Sequence, residues 1–368
     1  MAANDDSLSL LMRAKDLGRE FPFFDFHVHP FDVLSGDTTY QADSNIEGLF
    51  TKCSLVYRPP SISPKQEPSK ERAVQRPVWN SLQALILASR LAYTFTGRKV
   101  LADQLDLIGF AGALLLPVAR EAGVAERALA AGKRMFCDHG RFFMGCPIPI
   151  GVSADKLLSF YESAREEWGI YAIKVHPNLA GLNPLMKSGR ELIEATLVAA
   201  GRLGLPVVIH GGRTPGLEPC ETREFGTILQ LKEINWGLSS APVIFAHCGC
   251  YGLAKAEVDS ALPMLNRLFD LYPNLMADTS NLEVPTLQLI LAKVDCTRLI
   301  FGSDALYVPV WKAWLGFLQA LYQVSHQPEN DLIRIASINA QYCLGFAANH
   351  VIQPTPELVL EEENNSVF

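Results

Sequence analysis

The feature that most constrains the fold is a set of eight short apolar runs, at residues 21–29, 113–118, 141–147, 170–176, 205–210, 242–247, 274–279 and 298–304. From the second onward they recur about every thirty residues, the length of one strand, one helix and two connections. The runs are apolar on both faces, which suits strands covered on both sides by helices. Between them lie helical stretches with recognisable ends. One, 154–167, follows Ser153 as an N-cap, and another, 190–203, stops before Gly204 in a C-cap position. Eight such β/α units predict an α/β fold, the (β/α)8 or TIM barrel, as a single domain over residues 1–368. The length alone would allow two domains, but barrels of this type often use it as one.

One interval breaks the rhythm. Residues 31–105 are far more than a connection requires, and predict a largely helical insertion between strands 1 and 2. It contains a proline- and charge-rich stretch, 58–77, and then an apolar helix over about 78–95. An insertion there leaves from the C-terminal rim of the barrel, so it is either packed on the outside or a lid over the mouth. The tail, 353–368, reads as a polar extension.

Composition removes some partners. The chain is 49% hydrophobic and 19% charged, which suits a soluble protein with a large core. Its net charge of −7 argues against nucleic acid or an anionic membrane as main partner. A small molecule is the expected partner, with homo-oligomer formation left open. No secretory leader is recognisable in residues 1–20, and no apolar run approaches a bilayer's width. The eight cysteines, Cys53, Cys137, Cys146, Cys220, Cys248, Cys250, Cys296 and Cys343, show no disulfide spacing. A cytoplasmic location is the expectation.

Chemistry enters through the histidines. Five of the eight, His27, His29, His176, His210 and His247, fall at or beside the C-terminal ends of predicted strands, which converge on one mouth in a barrel. His27 and His29 are two apart and so share a strand face, which lets two imidazoles reach one ion. Asp25 could hold a ring N–H from below or fill the layer beneath. His210 offers a third nitrogen across the mouth, and Asp304 an oxygen. Three nitrogens and a carboxylate suit one Zn²⁺, with Mn²⁺ or Fe²⁺ as alternatives. Asp304 could double as the base that takes a proton from water.

The phrases Phe24-Asp-Phe-His-Val-His, Pro206-Val-Val-Ile-His-Gly, Val243-Ile-Phe-Ala-His-Cys-Gly and Ile300-Phe-Gly-Ser-Asp, with Ile338-Asn-Ala near the end, resemble the amidohydrolase superfamily. More narrowly, they resemble its amidohydrolase-related branch, which includes aminocarboxymuconate-semialdehyde decarboxylase. That resemblance implies a metal held by His27, His29, His210 and Asp304. It also implies a place for His247 beside the metal, polarising substrate or handling a proton, with a supporting hydrogen bond as the simpler role.

Lys174 and His176 share a face of strand 4. In two-metal members of the superfamily a strand 4 lysine is carboxylated and bridges the ions, so Lys174 could serve a second ion. Otherwise it stays a cation that orients an anionic substrate, and His176 is an acid/base, a substrate contact or a rim hydrogen bond. Arg213 could clamp a carboxylate from the strand 5 loop, while Asp278 and Asn281 line the pocket at the end of strand 7. The ligand set serves two reactions. The first expectation is metal-assisted hydrolysis of an amide, lactone or other ester; the second is non-oxidative decarboxylation of an aromatic or enol-type acid. A non-catalytic metal-binding role is a third reading, disfavoured by ligands at every expected strand.

Overall fold

The computed structural model describes residues 2–29, 98–119, 122–136, 140–214, 217 and 220–346. The stretch 58–77, the expected helix 78–95, the tail 353–368, Cys53 and Cys137 lie outside them. Eight strands form: β1 (Phe23–Val28), β2 (Phe110–Leu115), β3 (Phe142–Pro147), β4 (Ala172–Val175), β5 (Val207–Ile209), β6 (Val243–Phe245), β7 (Leu275–Asp278) and β8 (Leu299–Ile300). Each is parallel to the next in chain order, so the α/β TIM barrel expected from the sequence is the fold. The seam between β8 and β1 is closed by single backbone bonds. Phe26 N donates to Phe301 O (3.0 Å), Asp304 N to His27 O (2.7 Å) and His29 N to Ala305 O (2.9 Å).

Helices cover the barrel. Arg98–Ile108, the described end of the long interval, buries Leu101, Leu105 and Ile108 and leads directly into β2. Gly109, with φ +79°, makes that tight exit. The exit explains why β2 begins at Phe110, three residues before the run expected at 113–118. Residues 154–167 fold as a 3₁₀ turn, Ala154–Lys156, and then an α-helix, Leu157–Trp168. Ser153 has the extended backbone of an N-cap but makes no side-chain capping bond. Gly204 ends the helix Lys187–Leu203 with φ 64°, the left-handed cap its position predicted.

Two apolar clusters follow from strand alternation. Outward residues such as Ile173, Val175, Ile209 and Phe301 pack against helical side chains including Leu197 and Trp314. Inward residues Ala172, Val208, Ile244, Met276 and Ile300 form a second cluster inside the barrel, plugged by Ala340, Cys343 and Leu344. Two residues further along the same strands come Lys174, His210, Ala246, Asp278 and Gly302. The barrel's floor is therefore apolar and its mouth polar, by one step of the period-two pattern. Gly302 is required there: a Cβ would lie 2.7 Å from His27 Cβ and 3.1 Å from Ser280 Cβ.

Candidate metal centre and active site

Three ligand-type side chains converge at the mouth, and all are buried: His27, His29 and Asp304. His27 Nε2 lies 3.2 Å from His29 Nε2. Asp304 Oδ1 lies 3.1 Å from His29 Nε2 and 3.7 Å from His27 Nε2. Tautomers follow from the partners on the far side of each ring. His29 Nδ1 meets the Leu116 carbonyl at 2.7 Å, and His27 Nδ1 meets Asp278 Oδ2 at 2.8 Å. A carbonyl and a carboxylate can only accept, so each Nδ1 carries the proton and each Nε2 turns a lone pair inward, that of His27 within 3.0 Å of Lys174 Nζ. Asp304 Oδ1 is buried without a hydrogen-bond partner. Lone pairs facing one another in a dry site are unfavourable unless a cation lies among them. The donor set therefore fits a divalent metal ion.

Lys174 brings positive charge to the edge of this niche. Its Nζ is buried and 3.0 Å from His27 Nε2. Burial lowers its pKa to about 8, against the pull of Asp278 and Asp304. Burial, with Lys174 next, lowers the His27 pKa to about 3. Burial also holds His176 and His210 well below the usual imidazole range, each lowered further by its histidine neighbours, and lowers His247. These four rings are neutral near pH 7. Burial works against the Asp304 carboxylate, but the histidines around it, His29 first, outweigh burial and hold it ionised.

Of the remaining expected residues, His210 is not among the convergent ligand atoms. Its ring stacks on His176 (centroids 3.9 Å apart, planes 10° apart), and its Nε2 lies 3.4 Å from Arg213 O and 3.3 Å from Thr214 Oγ1. His176 Nδ1 accepts from Leu179 N at 3.4 Å, leaving Nε2 to carry its proton. His247 sits just past the end of β6, where it and Cys248 take φ of 56° and 51°. That turn sets its Nδ1 2.9 Å from Ser280 O and its ring 5.1 Å from that of His27. Asn281 and Asp304 are also left-handed, at 46° and 61°, and Asn281 Nδ2 donates to Asp304 Oδ2 at 2.8 Å. Strained backbone thus concentrates at the ends of β6, β7 and β8, around the chemistry.

Arg213 does not reach into the mouth. Its guanidinium donates to Glu224 Oε1 (2.6 Å) and Glu257 Oε2 (2.7 Å). Asp25 is buried and holds no ring. It accepts from Ser303 N (2.9 Å), Ser303 Oγ (2.5 Å) and His27 N (3.2 Å), and burial raises its pKa to about 7. It fixes the Gly302–Ser303 bend that delivers Asp304. The sequence reading missed Ser280 and the partnership of Asp278 with His27, and two aromatic neighbours. Tyr251 stands 4.9 Å from His247 and Tyr307 stands 6.2 Å from His29, centroid to centroid. The Asp-x-Ser spacing at the end of β7, two polar residues on one face of an otherwise apolar strand, was the available signal.

An amidohydrolase family model, Amidohydro_2, matches residues 24–346, and the chain belongs to that family. Its members are metal-dependent enzymes, in agreement with the resemblance carried by the four strand-end motifs. Among solved structures, an amidohydrolase II is 15% identical and covers 88% of this chain and 99% of its own, at a TM-score of 0.53. The apo form of IDCase from Metarhizium anisopliae is 16% identical, covering 88% and 97%, at 0.52. A 5-carboxyvanillate decarboxylase from Sphingomonas paucimobilis is 13% identical, covering 88% and 99%, at 0.48. At such identities the first two show a shared fold. No curated protein matches the chain. Among the described residues no helix is long and apolar enough to cross a membrane.

Proposed function

We propose that this protein is a metal-dependent hydrolase that cleaves an amide, lactone or other ester bond of a small anionic substrate. His27, His29 and Asp304 hold the ion, with His210 as the further nitrogen across the mouth. Zn²⁺ suits these donors best, with Mn²⁺ or Fe²⁺ as alternatives. Bound there, a divalent ion supplies the Lewis acidity that lets water lose a proton near neutral pH.

The observation that carries the reading is the Asp304 carboxylate. It is ionised, one oxygen is tied by Asn281, and the other faces the histidine pair with no donor on it. Such a group can accept a proton from water and pass it to a leaving group. His247, its Nδ1–H committed to Ser280 O, presents Nε2 as an acceptor and assists the same transfer. His176, in the opposite tautomer, donates Nε2–H to a substrate oxygen, and the Lys174 ammonium attracts negative charge.

Decarboxylation of an aromatic or enol-type acid is the second reading, and Lys174 favours it. A buried ammonium with a pKa near 8 is a proton source for carbon. Purified protein, with and without chelator, should be assayed on lactones, amides and hydroxybenzoate-type acids. Chelator-sensitive ring opening or amide cleavage is the expected outcome. Stoichiometric CO₂ release without hydrolysis would replace the hydrolase reading by the decarboxylase one.

A further inference from the structure

We infer that the end of β7, Asp278 with Ser280, is the positioning element of the metal site, setting the ring tautomer and orientation of both His27 and His247. β7 supplies none of the expected ligands, yet its polar terminus touches residues from both β1 and β6. Asp278 Oδ2 accepts a hydrogen bond from His27 Nδ1–H at 2.8 Å. Asp278 Oδ1 faces three donors: His247 N at 2.8 Å, Ser280 N at 3.1 Å and the Ser280 hydroxyl. With its proton given to Asp278, Ser280 Oγ keeps its lone pairs for the two rings, 3.0 Å from His27 Nδ1 and 2.8 Å from His247 Nδ1. Ser280 O accepts a hydrogen bond from His247 Nδ1–H at 2.9 Å. All of these groups are buried. One carboxylate and one serine thus fix which nitrogen of each ring is bare, and both bare nitrogens are Nε2.

The hydrogen-bond count makes the assignment testable. In Asp278→Asn the new amide has one acceptor and one donor end. Three donors surround the Oδ1 position, so the amide oxygen must stay there and the NH₂ must face His27 Nδ1. His27 is then drawn to accept at Nδ1 and to carry its proton on Nε2, where a ligand lone pair is needed and where Lys174 Nζ, 3.0 Å away, must shift or give up a proton. Supports of this kind change metal affinity by about 10–100-fold. A merely structural role for Asp278 would leave the tautomer alone.

The test uses full-length protein stripped of metal, with ¹⁵N-histidine NMR for tautomers and competitive Zn²⁺ titration for affinity. In the parent, His27 and His247 should both be neutral and protonated on Nδ1. This measurement needs no variant, and an Nε2–H or averaged ring at either position overturns the inference. Asp278→Asn should move the His27 proton to Nε2 and weaken Zn²⁺ by about 10–100-fold. Parent-like affinity with Nδ1–H retained would likewise overturn it. Ser280→Ala leaves the Ser280 carbonyl in place, so His247 should keep Nδ1–H while its ring resonances broaden. The consequence for affinity rests on the metal reading proposed above. A parent that binds no Zn²⁺ refutes that reading, while the parent tautomers still decide this one.

Discussion

Lys174 offers a test in which the expected change runs against the usual effect of mutating a buried residue. Its ammonium is buried, and burial brings its pKa from 10.5 to about 8. The folded metal-free protein thus holds this proton less tightly than the unfolded chain does. At about 1.4 kcal/mol for each tenfold change in proton affinity, the gap costs up to roughly 3 kcal/mol of stability. The cost is present in full below pH 8, is relieved as pH rises from 8 to 10.5, and is gone above. Lys174→Met keeps most of the side chain's volume and removes the charge. The metal-free variant should be more stable than the parent by up to about 3 kcal/mol at pH 7, and the advantage should fade to nothing by about pH 10.5. Urea unfolding of both metal-free proteins at pH 7, 9 and 10.5 gives the difference, since groups outside the site cancel and the neighbouring rings that feel Lys174 are already neutral in the parent. Destabilisation at pH 7, or a gain that stays flat across that window, would refute the reasoning. Activity should be lost in the same variant, because a charge that costs stability is retained for its use on substrate.

Other expectations concern the residues around it. Asp304→Asn keeps shape but removes the anionic acceptor, and kcat should fall by about 10²–10⁴-fold in steady-state assays of metal-loaded protein. Asn281→Ala places a Cβ-bearing residue without local hydrogen bonding at φ 46° and should cost about 1 kcal/mol. Asn281→Gly should recover that stability in thermal unfolding but not the activity, since both lose the bond to Asp304 Oδ2. Arg213→Ala breaks ion pairs to Glu224 and Glu257 that are partly exposed. It should cost at most about 1 kcal/mol, less at high salt, and leave KM unchanged. A raised KM with full metal content would restore the clamp reading for this residue.

The barrel was legible because its strands are buried on both faces, and burial writes itself into local composition. The polar mouth was legible for a related reason. The step from Ala172 to Lys174, Val208 to His210 and Met276 to Asp278 is the same two-residue period that makes the interior apolar. What the period could not supply was the geometry where strands end. β1 shifts register between Asp25 and Val28, so His27 and His29 meet as expected while Asp25 turns to Ser303, just past β8. His247 is one residue out of phase with the inward layer and comes into the site through a left-handed turn that no alternation encodes. The acid that orients His27 illustrates the limit most clearly. Local spacing offered Asp25, two residues away, as one candidate, whereas the partner is Asp278, 251 residues along the chain and on a strand from which no ligand was expected. Ligands are set by which strand faces inward, a local property. Their orientation is set by which strand ends lie side by side, and only the closed barrel, in bringing β7 between β6 and the β8–β1 seam, decides that.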